Sequence, residues 1–417
     1  MQPVDCVVHA RWIAPVDPPG VLDHHALVIH GGRILDCLPG EAADARYRAR
    51  ERLVRPTHLV TPGFVNAEVD LAASLWRGIA LAAPARYAGV PAGAAPEALT
   101  DSITLGFAEQ LASGITTSVD IGNHPALVGA MAATLGVRVV LGLTISDAAS
   151  AFAAGVDEHF DRALALHDEY RDHPLVRTAF VLRGLRDLGD ATLVRLRTLA
   201  DQLERPVLVQ ADAAQAERLH TLGLWNSNTA VLHFGGLPLA TTAPDGVSVI
   251  HSPADDLQAG RALAPIARLA AHGVNVALGS GAFPLARDAC DMLRLSTRLA
   301  GLASEAPRLR PEALLRMATF GGARAVGLED SIGALGTARR ADFVSFNLAL
   351  PACSPVLDPL AALSACVGRD AVSDVFVAGR AVVADGRPLA LDLEDLCARV
   401  ARHQASLLAT GAGGARQ

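Results

Sequence analysis

The chain has 417 residues, 51% of them hydrophobic, a formal net charge of −7 and a mean hydropathy of +0.30. That length excludes a single small domain and accommodates one large domain with a smaller companion. Charges of both signs are dispersed and no basic tract occurs, which excludes a general nucleic-acid or anionic-membrane binder.

Residues 4 to 60 alternate in short apolar runs, Cys6 to His9, Ala26 to His30, Arg33 to Asp36 and Leu59-Val60, with a hairpin signal at Gly31-Gly32. From about residue 62 to 335 strand patterns alternate with helical ones, the order of a parallel βα barrel. Candidate barrel strands are 64–69, 116–121, 138–143, 178–182, 207–211, 230–234, 247–251 and 274–278, which is the eight the fold needs. Apolar periodicity places helices over 101–113, 125–135, 158–170, 190–203, 260–272, 288–303 and 311–325. Short strands return at 342–346 and 372–383. The expected fold is α/β, a (βα)8 TIM-like barrel over 62–335. A small β-sandwich is expected from residues 1–61 and 336–400, the latter with a terminal helix, and 401–417 are expected to be a flexible tail.

Aromatic residues make up only 4% of the chain, so the core is built from Ala, Leu and Val. Six cysteines lie far apart with no CxxC pair, indicating neither a zinc ribbon nor a disulfide framework. The longest apolar runs are interrupted by Arg138 and glycines, and no basic region leads into an apolar N-terminal core, so a cytoplasmic location without membrane attachment is expected.

In a parallel βα barrel the chemistry sits at the C-terminal strand ends. The first strand ends Glu68-Val69-Asp70, and the two-residue period turns both carboxylates inward. Read from the residues alone they are polar pocket lining or a carboxylate pair for a cation, the lining being favoured. The stretch Thr61-Pro-Gly-Phe-Val-Asn-Ala-Glu-Val-Asp70, followed by a segment ending Arg77-Gly78, resembles the opening motif of the amidohydrolase superfamily. The likeness is to its branch of triazine hydrolases and of methylthioadenosine and S-adenosylhomocysteine deaminases. It extends through Gly114 to Thr117, Asp291-Met292, Ala318 to Leu328 and Ile332 to Asp342, nearly the whole chain.

The resemblance implies two zinc-binding histidines at the positions of Glu68 and Asp70, and a third at Gln210 in the segment Pro206 to Glu217. It implies a proton-shuttling glutamate where Ala213 stands, and a metal-binding, proton-accepting aspartate where Gly281 stands. Arg183 takes the place of a substrate-contacting histidine, and Asp212 lies beside the lost ligand at 210. His233 keeps the position of the histidine that contacts the attacking water. His251 and Pro253 survive from a strand-seven motif in which Asp255 and Asp256 replace Ser and Asn. The segments 79–98 and 218–228 are trimmed relative to the family's substrate loops.

With every family ligand and both proton-handling carboxylates replaced, the expected reading is a pseudoenzyme, a scaffold binding a small ligand or a partner, with no cofactor and no zinc. Its candidate pocket residues are Glu68, Asp70, Arg183, Gln210, Asp212, His233 and His251. The alternative is an active hydrolase of carbon–nitrogen bonds other than peptide bonds, acting on an amino-heterocycle or nucleoside. It would use Glu68, Asp70, Asp212 and His233 to hold a harder cation than zinc, or a metal-free acid/base pair from the same residues. A third reading plugs the barrel mouth with Arg183 paired to Glu68 and Asp70. A homodimer, or a heteromer with an active paralogue, and a small heterocyclic ligand are the expected partners.

Overall fold

The computed structural model describes residues 1–84, 87–186, 188–238, 246–302 and 308–413. Eight parallel strands follow one another in a single sheet in chain order: Phe64–Val69, Ile115–Asp120, Arg138–Ile145, Val176–Leu182, Val207–Gln210, Thr229–Leu232, Ser248–His251 and Val276–Leu278. A bridge between Val69 and Gly281 brings the two ends of the sheet together, so the barrel closes at the level of Glu68. Fully buried Val, Leu, Ile and Ala fill its interior, among them Ala67, Val119, Val140, Val181, Leu208, Leu232, Ile250 and Ala277. This is the layered packing that a chain poor in aromatics can build.

The closure has polar reinforcement. Asn66 Nδ2 donates to Gln110 Oε1 (3.0 Å) and Ser280 Oγ (2.8 Å), and Asn66 Oδ1 accepts from Ser280 N (2.9 Å). One side chain thus ties the first strand to the segment after the eighth, and all its partners are buried.

The terminal segments form the companion β domain. Strands Arg387–Pro388, Arg380–Ala384, Val372–Val377 and Phe343–Asn347 pair in that order onto Tyr47–Pro62, and Gln2–Ile13, His25–His30 and Arg33–Pro39 continue the sheet. A buried ion pair joins this domain to the barrel: the Arg138 guanidinium donates to both Asp342 carboxylate oxygens at 2.9 and 3.0 Å. The helix Leu393–Gly413 covers most of the segment expected as a flexible tail, and 414–417 lie outside the described residues.

One expected helix is much shorter than its pattern. The apolar periodicity of 260–272 yields only Ile266–Ala271, because Gly260 takes a left-handed φ of +65° and Pro265 breaks the run. The freed segment 259–265 instead carries Arg261, which donates to Asp255 and Asp256.

Candidate active site

Three strand ends and one short helix build the site. Glu68 points inward from the first strand and is fully buried. His233 ends the sixth strand with a left-handed φ of +55° and caps a single turn, Phe234–Gly236. Gly235 lets the segment carrying Arg261 approach this turn, since a Cβ there would lie 1.6 Å from the Ala262 carbonyl oxygen. After the seventh strand the helix Pro253–Gln258 starts with proline at a position suited to its fixed φ, and its first turn holds Asp255 and Asp256.

His233 is the hub. Its Nδ1 donates to Asp256 Oδ1 at 2.7 Å, and its Nε2 lies 3.3 Å from Glu68 Oε1 and 3.7 Å from Asp255 Oδ2. Outer contacts hold each acid in place. Ser252 Oγ donates to Glu68 Oε2 (2.5 Å), Phe283 N donates to Asp255 Oδ1 (3.0 Å), and Arg261 donates to Asp255 Oδ2 and Asp256 Oδ1, both at 2.8 Å. Burial would lower the His233 pKa, but Glu68 and Asp256 outweigh it and raise it to about 10. Burial opposes ionisation of Glu68 too, and there His233 and the Ser252 hydroxyl win, so its pKa falls. Asp255 goes the other way, pushed up by burial and by the Glu68 charge.

Glu68, His233 and Asp255 each turn one donor atom to a common centre, all within 4.8 Å of one another. Glu68 Oε1 is buried and makes no hydrogen bond. The Glu68, Asp255 and Asp256 carboxylates face the Arg261 guanidinium and the His233 imidazolium, so a divalent cation at Nε2 would take the place of the imidazole proton. One imidazole and two carboxylates, each oriented by an outer hydrogen bond, fit such a cation, with zinc and harder ions both within the chemistry of the set.

The other sequence candidates lie elsewhere. Asp70 is half-buried beyond the end of its strand, among groups that include Asp120, His124, Arg183 and Arg287. Burial raises its pKa there, while Arg183, Arg287 and His124 oppose the rise. Asp70 also raises the buried Asp120, which burial in the first place lifts to about 7. Arg183 donates to the Ile121 carbonyl (2.7 Å) and forms no ion pair with Glu68, Asp70 or Asp212. Gln210 and Asp212 are exposed at the rim, where Asp212 caps the helix Ala213–Thr221: its Oδ1 accepts from Gln215 N at 2.9 Å and its N–H is returned to Gln215 Oε1 at 2.8 Å. His251 is buried with neither ring nitrogen hydrogen-bonded, and burial lowers its pKa to about 4. So the structure joins Glu68 and His233, leaves out Asp70 and Asp212, and adds Asp255, Asp256, Ser252 and Arg261, which the sequence reading did not place in the site. A cavity of about 530 Å³ is lined by His233 and Arg261 together with Arg186, Gln210, Asp212 and Gln215.

The sequence pattern of the amidohydrolase family matches residues 59–382. A 5-methylthioadenosine/S-adenosylhomocysteine deaminase of Saccharophagus degradans is 27% identical over 440 residues, covering 99% of each chain. One of the same name from Teredinibacter turnerae is 29% identical over 439 residues, 97% of this chain and 98% of its own. Among solved structures, an adenosine deaminase from Xanthomonas campestris with bound zinc superposes with a TM-score of 0.91 at 31% identity, over 98% of this chain and 99% of its own. A triazine hydrolase variant superposes at 0.84 over 96% of this chain and 99% of its own, and at 21% identity that likeness is one of fold.

These findings correct two expectations. The reading as a pseudoenzyme is overturned by relatives named as deaminases together with the convergent Glu68, His233 and Asp255. The expectation of no cofactor fails on the same group and on the zinc held by the Xanthomonas campestris structure. Both errors have one physical cause: matching residues strand by strand misses a carboxylate that enters from the following helix. The chain belongs to the amidohydrolase family.

Proposed function

We propose that this protein is a hydrolase of carbon–nitrogen bonds other than peptide bonds, and that it deaminates an amino-substituted heterocycle or nucleoside. The observation that carries the reading is the buried convergence of Glu68, His233 and Asp255 beside a cavity of about 530 Å³, a volume in the range of small-molecule sites. The names of the relatives support the substrate class.

Deamination forms a C–O bond from water at the amino-bearing carbon, breaks one O–H bond, and breaks the C–N bond as ammonia leaves with that proton. Glu68, His233 and Asp255 would hold a divalent cation, which would supply Lewis acidity and make a water more acidic. Asp256 keeps the proton on Nδ1 of His233, so Nε2 is the ring nitrogen that faces the centre, and its lone pair would be offered to a cation on loss of the second proton. Asp255, whose Oδ2 lies 3.7 Å from His233 Nε2, is the carboxylate placed to take the water proton and pass it to the leaving nitrogen. Arg261 spans Asp255 and Asp256 and fixes both. Gln210 and Arg186 offer hydrogen-bonding groups to a substrate from the wall of the cavity.

The test is ammonia release by the purified protein from adenosine, methylthioadenosine and S-adenosylhomocysteine. The expected result is turnover of at least one, reduced at least about a hundredfold in Glu68→Gln. Cation-loaded, folded protein that releases no ammonia from any of the three would refute the substrate class.

A further inference from the structure

We infer that Asp255, carried by the helix after the seventh strand, supplies the carboxylate that the end of the eighth strand lacks, and that positions 255 and 281 are alternative origins of one ligand. The inference rests on the cation-holding reading above and names how the third ligand reaches it.

The barrel closes at Gly281: its N–H donates to the Glu68 carbonyl at 3.0 Å, and Val69 bridges to it. Its φ is +83°, and a Cβ built on it would lie 2.2 Å from Asp255 Cβ, 2.6 Å from Cγ and 3.0 Å from Oδ2. A side chain rooted at 281 and the side chain of Asp255 therefore compete for one volume. That volume abuts the centre, since Asp255 Oδ2 is 3.7 Å from His233 Nε2 and is grouped with the buried Glu68 Oε1, which makes no hydrogen bond and lies 3.3 Å from the same nitrogen. The Phe283 N–H and Arg261 guanidinium hold the Asp255 carboxylate there, and a carboxylate oxygen that accepts from Arg261 keeps a lone pair for a cation. Aspartate tolerates a left-handed backbone better than most residues, so a carboxylate can enter from 281 once the space is cleared. Clearing it requires glycine at 255, because the closest approach is between the two Cβ atoms.

Wild type, Asp255→Asn, Asp255→Gly, Gly281→Asp and the double variant Asp255→Gly/Gly281→Asp are titrated with Zn²⁺ and Mn²⁺ by calorimetry, with circular-dichroism melts to check folding. Asp255→Asn keeps the shape and loses the charge, and is expected, like Asp255→Gly, to weaken binding at least about tenfold. The double variant should regain most of that loss, and Gly281→Asp alone should melt below wild type. Wild-type affinity in Asp255→Asn would overturn the role of Asp255 while leaving a cation site in place. A folded double variant no tighter than Asp255→Gly would overturn the exchange of positions. Wild type that is folded and binds neither ion would remove the underlying reading, and this one with it.

Discussion

His233 Nδ1 lies 2.7 Å from Asp256 Oδ1, and this bond decides which ring nitrogen faces Glu68 and Asp255. Asp256 is not one of the three groups that converge on the centre. It acts through the imidazole, as outer carboxylates do at histidine-bearing metal sites. Asp256→Asn is expected to lower cation affinity about 10- to 100-fold, measured below the melting temperature of the variant, which falls because Asp256 is buried between His233 and Arg261. Unchanged affinity would mean that His233 needs no such anchor.

His251 gives a pH prediction. Its native pKa is lowered to about 4 from an ordinary value of 6.5, because burial disfavours the imidazolium. A base depressed in the native state binds its proton first in the unfolded chain, so its contribution to stability is complete above pH 6.5 and declines down to about pH 4. The decline from this group is roughly 3 kcal/mol. Urea unfolding at a series of pH values is expected to show a shallower acid-side loss in His251→Gln than in wild type. Parallel curves for the two proteins would contradict the assignment.

The Arg138–Asp342 pair predicts a large effect far from the chemistry. Both groups are buried, and removing the guanidinium leaves a carboxylate whose remaining partner is the Ala378 N–H at 2.7 Å. Arg138→Ala should cost about 3–5 kcal/mol in denaturant unfolding. A loss below about 1 kcal/mol, the scale of an exposed pair, would show that the ion pair does not hold barrel and sheet together.

Arg183 should behave differently. It donates to one backbone carbonyl, that of Ile121, and does not plug the mouth by pairing with Glu68 or Asp70. Arg183→Ala is therefore expected to cost no more than about 1.5–3 kcal/mol, the range for one hydrogen bond to a charged group. A larger destabilisation in the same unfolding assay would revive the plug.

Much of the fold was legible because barrel strands and their turns follow simple periods: all eight strands lie within a few residues of where alternation put them. Glu68 was legible from the strand period, which turns it inward, and His233 from the resemblance, since it lies just past the strand Thr229–Leu232. Asp255 was not, because its role depends on a helix start, on the left-handed turn at Gly281 and on the Cβ-sized gap there, none of which spacing reports. A signal did exist. The resemblance implies an aspartate where Gly281 stands and Ser and Asn where Asp255 and Asp256 stand, and an acid in one place beside its absence in another is a hint of exchange. Asp70 and Asp212 misled for the converse reason: the two-residue period turned Asp70 inward with Glu68, but the strand ends at Val69, and Asp212 caps a helix at the rim.

The most direct test of the central claim is the metal content of wild type and Glu68→Ala, purified without chelators and measured by elemental analysis beside a melt of each. The account predicts near one equivalent of a divalent ion in wild type, at most about a tenth in Glu68→Ala, and a fall in melting temperature when wild type is treated with a chelator. Folded wild type with no bound ion, unchanged by added Zn²⁺ or Mn²⁺, would contradict it.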